Sequence, residues 1–140
     1  MDGLQTLFST GNFMPHGYCL AWSPNMVWLH AISDSVIAIA YYIIPLVLFL
    51  LVWRRRQQLP FPWLFLLFAV FILSCGSTHL LGVITLWEPL YGTEGVVKAL
   101  TALISAITAV AVIPVLPRTL ALRSATELEI LNNQLAQEIE

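Results

Sequence analysis

Three long apolar stretches, residues 27–53, 61–87 and 95–116, are separated only by short polar links. Each exceeds the ~20 residues that a helix needs to cross a bilayer core. Inside hydrocarbon every backbone N–H and C=O must find its partner within the segment, so each stretch has to be helical. Composition agrees, with 59% hydrophobic and 10% charged among 140 residues, whereas a soluble domain carries about a quarter charged. The net charge of −2 and the lack of a basic patch beyond Arg54, Arg55 and Arg56 exclude nucleic acid as a partner. The expected fold class is all-α integral membrane, three transmembrane helices forming a bundle, with membrane lipid as surroundings.

The links set an orientation. Arg54, Arg55 and Arg56 follow the first stretch, and Arg118 and Arg123 follow the third. The second link, residues 88–94, holds acidic side chains and no basic ones. The positive-inside rule then predicts the N-terminus outside and the C-terminus in the cytoplasm. Trp22, Trp28, Trp53, Trp63, Trp87 and Tyr91 fall near the span ends, as interfacial aromatic belts do. Residues 1–26 lack Lys and Arg, which argues against a cleaved signal peptide. They read as a retained extracytoplasmic or interfacial segment. Residues 27–117 form the membrane domain, and residues 118–140 begin a cytoplasmic signalling helix. There Leu128, Leu131, Leu135 and Ile139 recur at helical spacing and predict the start of a parallel coiled coil. Two cysteines, Cys19 and Cys75, occupy unlike surroundings and make no disulfide framework.

Within the spans few ionisable groups remain: Asp34, Cys75, His79 and Lys98, with Tyr41 as a further polar group. A charge at the bilayer centre costs at least ~2.5 kcal/mol on insertion scales, so each is a functional candidate. At helical rise Asp34 lies about 10 Å inside the outer end of its span, His79 about 12 Å and Lys98 about 5 Å. All three helices thus place polar groups in one layer of the outer half. Cys75 and His79, four apart, share a helix face. Asp34, Ile37, Tyr41, Ile44 and Pro45 form a stripe on the first helix, and Pro45 is placed to bend it. Gly76, Ala38, Ala40, Ala102, Ser105 and Ala106 would allow close helix approach.

A soft thiolate with a borderline imidazole suits Cu(I) well and Zn(II) reasonably. Structural zinc takes four ligands, and only this convincing pair occurs in the membrane. Charge balance would pair Asp34 with Lys98. Read from the residues alone, Cys75 and His79 are either a metal site or two packing side chains. No phosphate-binding loop or nucleophile constellation accompanies them, so a non-catalytic role is expected, and paired histidines for haem between helices are missing.

The motifs resemble a known family, the transmembrane ethylene-binding domain of ethylene receptors, and more closely its bacterial relatives fused to sensor kinases. Residues 34–45, DSVIAIAYYIIP, match its D-x2-I-A-x-A-Y-x2-I-P; residues 75–80, CGSTHL, match C-G-x-T-H-L; residues 98–102, KALTA, match K-x-L-T-A. The resemblance covers residues 29–117 and keeps the motif order. It implies that Cys75 and His79 ligate Cu(I), which binds the olefin, and that Asp34, Ile37, Tyr41 and Ile44 shape the site. It implies that Lys98 pairs with Asp34 or carries the signal. It also implies a homodimer in the bacterial inner membrane, relaying ethylene binding to a histidine-kinase-type output of a two-component system. Two features depart from plant receptors: their N-terminal cysteine pair is missing, and Val47 stands where they carry an acidic residue.

Residues 14–19, MPHGYC, look like a segment of the bacterial relatives. They bring His16 and Cys19 together as a second metal site or a point of metal access, or else form a turn packed with Trp22. Two other functions fit the same fold: a sensor of copper or another small ligand that makes no use of ethylene, and a structural dimerisation anchor.

Overall fold

A computed structural model describes residues 8–11, 13–120, 130, 132–135 and 137. A 3-10 turn, His16–Tyr18, precedes four helices: α1 Pro24–Arg55, α2 Pro62–Thr85, α3 Tyr91–Val112 and α4 Val115–Leu120. The chain divides into two compact units, Met1–Thr108 and Ala109–Glu140. α1, α2 and α3 are each long and apolar enough to cross a membrane, as expected, and the regular elements among the described residues are all helical. With 32 residues, α1 extends ~48 Å at helical rise and exceeds the ~30 Å hydrocarbon thickness.

Local sequence sets the helix ends. Pro24 and Pro62 stand in the first turns of α1 and α2, where a missing N–H costs nothing and a fixed φ is already helical. Arg54 and Arg55 in the last turn of α1 face the negative end of the helix dipole. Phe61 takes a left-handed φ of 54° immediately before α2, at the sharp reversal. α3 starts four residues before the expected residue 95, since the Glu94 N–H already donates to the Leu90 carbonyl at 2.9 Å. It ends at Val112, before Pro114, whose ring disfavours helical geometry in the preceding residue.

α1 and α2 make the main interface. Along α1 the buried residues Ala31, Ala38, Pro45 and Val52 recur every seventh position, and Ala69 and Gly76 do so on α2. A seven-residue repeat keeps one seam facing a partner helix. Small side chains on that seam permit close approach, which is what drives association where lipid and protein are equally apolar. A Cβ added at Gly76 would lie 2.8 Å from the Tyr41 Cβ, so this glycine marks backbone contact. Tyr42 and Ser77 hydroxyls meet at 3.1 Å beside it.

α3 packs more sparsely. Among its described residues only Thr108 is buried. Its Thr101 hydroxyl donates to the Val97 carbonyl at 2.8 Å and lies 3.3 Å from the Ser74 carbonyl of α2. The expected bundle is thus a close helix pair with a third helix lightly attached.

The segment before α1 is tied down more firmly than a surface-lying stretch would be. The Gly17 N–H donates to the Leu86 carbonyl at 3.0 Å, and the Tyr91 hydroxyl donates to the Met14 carbonyl at 2.8 Å. Phe13 stacks edge-on against Tyr91, with centroids 5.9 Å apart. Trp22 covers Gly17 so closely that a Cβ there would lie 2.7 Å from the indole.

In the second unit, residues 130, 132–135 and 137 are helical. Leu135 of the expected coiled-coil stripe is exposed; Leu128, Leu131 and Ile139 lie outside the described residues.

Candidate functional site

Three α1 side chains at helical spacing (Asp34, Ala38 and Tyr41) face the His79 and Gly76 turn of α2. His79 Nδ1 lies 2.8 Å from Oδ1 of Asp34. With an ionised carboxylate as acceptor, Nδ1 carries the proton and Nε2 keeps a free lone pair. The Tyr41 ring meets the imidazole edge-on, with centroids 5.9 Å apart and planes at 89°. His79 is therefore held from two sides by one helix. Gly82, three residues on, faces the same carboxylate, and a Cβ there would make ordinary van der Waals contact with Asp34 Oδ2 at 3.4 Å.

Cys75 stands one turn before His79 on α2, half-buried and free of any disulfide. The Thr78 hydroxyl donates to the Cys75 carbonyl at 2.7 Å, fixing the turn that joins thiol and imidazole. Ile37 is half-buried and Ile44 exposed. Pro45 has no N–H to give the Tyr41 carbonyl, so α1 lacks one backbone bond where it meets Gly76.

Lys98 does not pair with Asp34. Its ammonium reaches Glu94 at 2.6 Å, one turn earlier on α3, while His79 takes the Asp34 carboxylate. The physical reason is proximity: an i,i+4 pair needs no second helix to close. Glu94 was counted as part of the link, and its place in the first turn of α3 emerges only from the fold. His16 and Cys19 stay adjacent, the Cys19 N–H donating to the His16 carbonyl at 2.9 Å. His16 lines a cavity of about 350 Å³ together with His30, Asp34, Gly82, Thr85, Leu86, Tyr91, Glu94 and Lys98, and exposed Cys19 is not in that lining. From the sequence His30 reads as interfacial at the start of the first helix, and Gly82 and Glu94 were missed, although Gly82 sits on the His79 face.

Does this donor set fit copper? Among the described residues no group of three His, Cys, Asp or Glu side chains forms a cage for a metal, which disfavours a structural zinc site. One thiol and one imidazole with a free Nε2 fit a soft monovalent ion that needs few ligands. Asp34 on the opposite ring nitrogen is the outer support typical of a metal-ligating histidine.

Fold and site together define a multi-pass helical membrane domain with a carboxylate–imidazole pair held between its first two long helices. The family profile described as Ethylene receptor 1-like, N-terminal domain matches residues 25–122, and the chain belongs to that family. It is 36% identical over 105 residues to proteins named Ethylene receptor 3 from Oryza sativa subsp. japonica and subsp. indica. That alignment covers 69% of this chain and 12% of each relative, so the chain spans about an eighth of their length. No solved structure matches.

Proposed function

We propose that this chain is a Cu(I)-dependent ethylene-binding sensor domain, with Cys75 and His79 as the metal ligands. The observation that carries the reading is the 2.8 Å contact of His79 Nδ1 with Asp34. It commits one ring nitrogen to a neighbouring helix and leaves the other for a ligand, inside the region matched by the family. Ethylene offers neither charge nor a hydrogen-bonding group, and bound Cu(I) supplies electron density to its π* orbital. The protein's part is to hold the thiolate and imidazole, to shape the apolar wall with Ile37, Tyr41 and Ile44, and to keep the site accessible to a lipid-soluble gas.

The domain binds rather than catalyses. Its N-terminus lies outside, its C-terminus in the cytoplasm of a bacterial cell membrane, and it acts as a homodimer coupled to a kinase-type output. Sparse burial of α3 supports a second copy, since Leu100, Leu103 and Ile107 stay exposed along a helix with few contacts of its own. Lys98 pairs with Glu94 on its own helix, which favours a signalling role over neutralising Asp34.

The test is saturable binding of labelled ethylene to copper-loaded membranes, expected for the wild type and lost in Cys75→Ala/His79→Ala. Retention of copper by that double variant would sink the ligand assignment. Copper binding without ethylene binding would leave a metal sensor of the same fold.

A further inference from the structure

The cavity of about 350 Å³ opens between the N-terminal strap, the first turns of α1, the last turn of α2 and the first turns of α3. Four of its lining side chains are imidazoles or carboxylates: His16, His30, Asp34 and Glu94. At the ~30 Å³ that a water occupies in the liquid, it has room for on the order of ten waters. One of its lining side chains, Asp34, is the group that touches His79. Ionisable residues in a span ordinarily face the helix interior or a water-filled cavity, and the one-quarter-exposed Asp34 faces this one.

The strap makes His16 a fixed part of this chamber. His16 belongs to the 3-10 turn whose next residue, Gly17, is bonded to Leu86. Exposed His30 lies on α1 one helical turn above Asp34. Neither histidine is hydrogen-bonded to the Asp34–His79 pair, and among the described residues neither sits with enough other donors to hold a metal at rest. Two imidazoles lining one cavity, each a competent but incomplete site, are what ligand exchange of a borderline-to-soft cation needs. The carboxylates of Asp34 and Glu94 outnumber the single ammonium of Lys98, so the chamber favours a cation.

We propose that this cavity is the intake route for Cu(I) from the side of the N-terminal strap, with His16 and His30 as transient ligands that pass the ion towards His79. The inference rests on the copper reading above. It assigns residues outside that site and concerns the rate of loading rather than the affinity of the loaded state.

The experiment reconstitutes the full chain in vesicles and offers Cu(I), as its bicinchoninate complex, either on the strap side or on the Arg54–Arg56 side. Uptake is followed by loss of the chelate's absorbance, and the final copper content is measured separately. Wild-type protein is expected to load from the strap side, and His16→Ala/His30→Ala roughly tenfold more slowly, the low end of what losing a supporting ligand does to metal sites. Final occupancy should be unchanged, which also shows that the variant is folded. Loading of the double variant at the wild-type rate, or equally fast loading of the wild type from the arginine side, would overturn the route. Lower final occupancy would make the histidines resting ligands and overturn it too. If wild-type protein takes up no copper from either side, the copper reading itself fails, and this inference falls with it.

Discussion

His79 shows how much one hydrogen bond can decide. Without a partner its ring could rotate and carry its proton on either nitrogen. With Nδ1 at 2.8 Å from the Asp34 carboxylate, the ring plane and the tautomer are set together. Asp34→Asn keeps the shape but removes the charge, and its amide can present either end to the ring. It is expected to weaken Cu(I) binding roughly 10- to 100-fold, as loss of outer-shell support does, with little change in thermal unfolding. Competition against a Cu(I) chelator measures this, and unchanged affinity would show that Asp34 does not support the ligand. Asp34, Cys75 and His79 were legible in the sequence because polar groups are conspicuous in an apolar run. The partner of Lys98 was not legible. Charge balance pointed across helices to Asp34, yet Glu94 on the same helix lay one turn away, and it entered the count only once α3 was seen to begin at Tyr91.

At the scale of elements, the seam between α1 and α2 does the positioning. Ala38 and Gly76 remove the side chains that would hold the two backbones apart, and Tyr41 fills the space they leave. Gly76→Ala puts a methyl 2.8 Å from the Tyr41 Cβ, closer than van der Waals contact permits. The helices must part or Tyr41 must turn, at a cost of about 1–3 kcal/mol. Detergent unfolding should register that loss, and the movement of Tyr41 should lower copper affinity in the same variant. A Gly76→Ala protein with native stability and affinity would mean that the seam is looser than this contact implies. The three spans were legible from length and apolarity alone, and Gly76 from its place between Cys75 and His79. The sparse docking of α3 was not, because hydropathy reports which segments enter a bilayer and says nothing about how tightly they pack.

For the whole molecule, orientation rests on few charges. Arg54, Arg55 and Arg56 crowd the link between α1 and α2, and the α2–α3 link carries Glu88 and no cation. Replacing the three arginines by glutamine removes most of the bias within reach of the membrane. The expected outcome is a mixture of the two topologies in place of one, detected with reporters fused after residue 120 or by thiol labelling of Cys19 from outside. A single N-out topology in the triple variant would show that the strap or the helix lengths set orientation instead. The strap was legible only as a turn packed with Trp22; its long-range bonds were not. Its bonds join Gly17 to Leu86 and Met14 to Tyr91, contacts across the chain that no local spacing encodes.

The Asp34–His79 contact also has a meaning in time. A ribosome makes α1 and α2 first, and every atom of that pair exists before α3 has been synthesised. Two side chains that would each resist partitioning into lipid on their own can leave the insertion machinery already satisfied by one another. The same bond that orients the imidazole in the mature protein is thus available as a chaperone for its own helical hairpin during birth. A nascent chain halted after the α2–α3 link should already hold both helices in the bilayer.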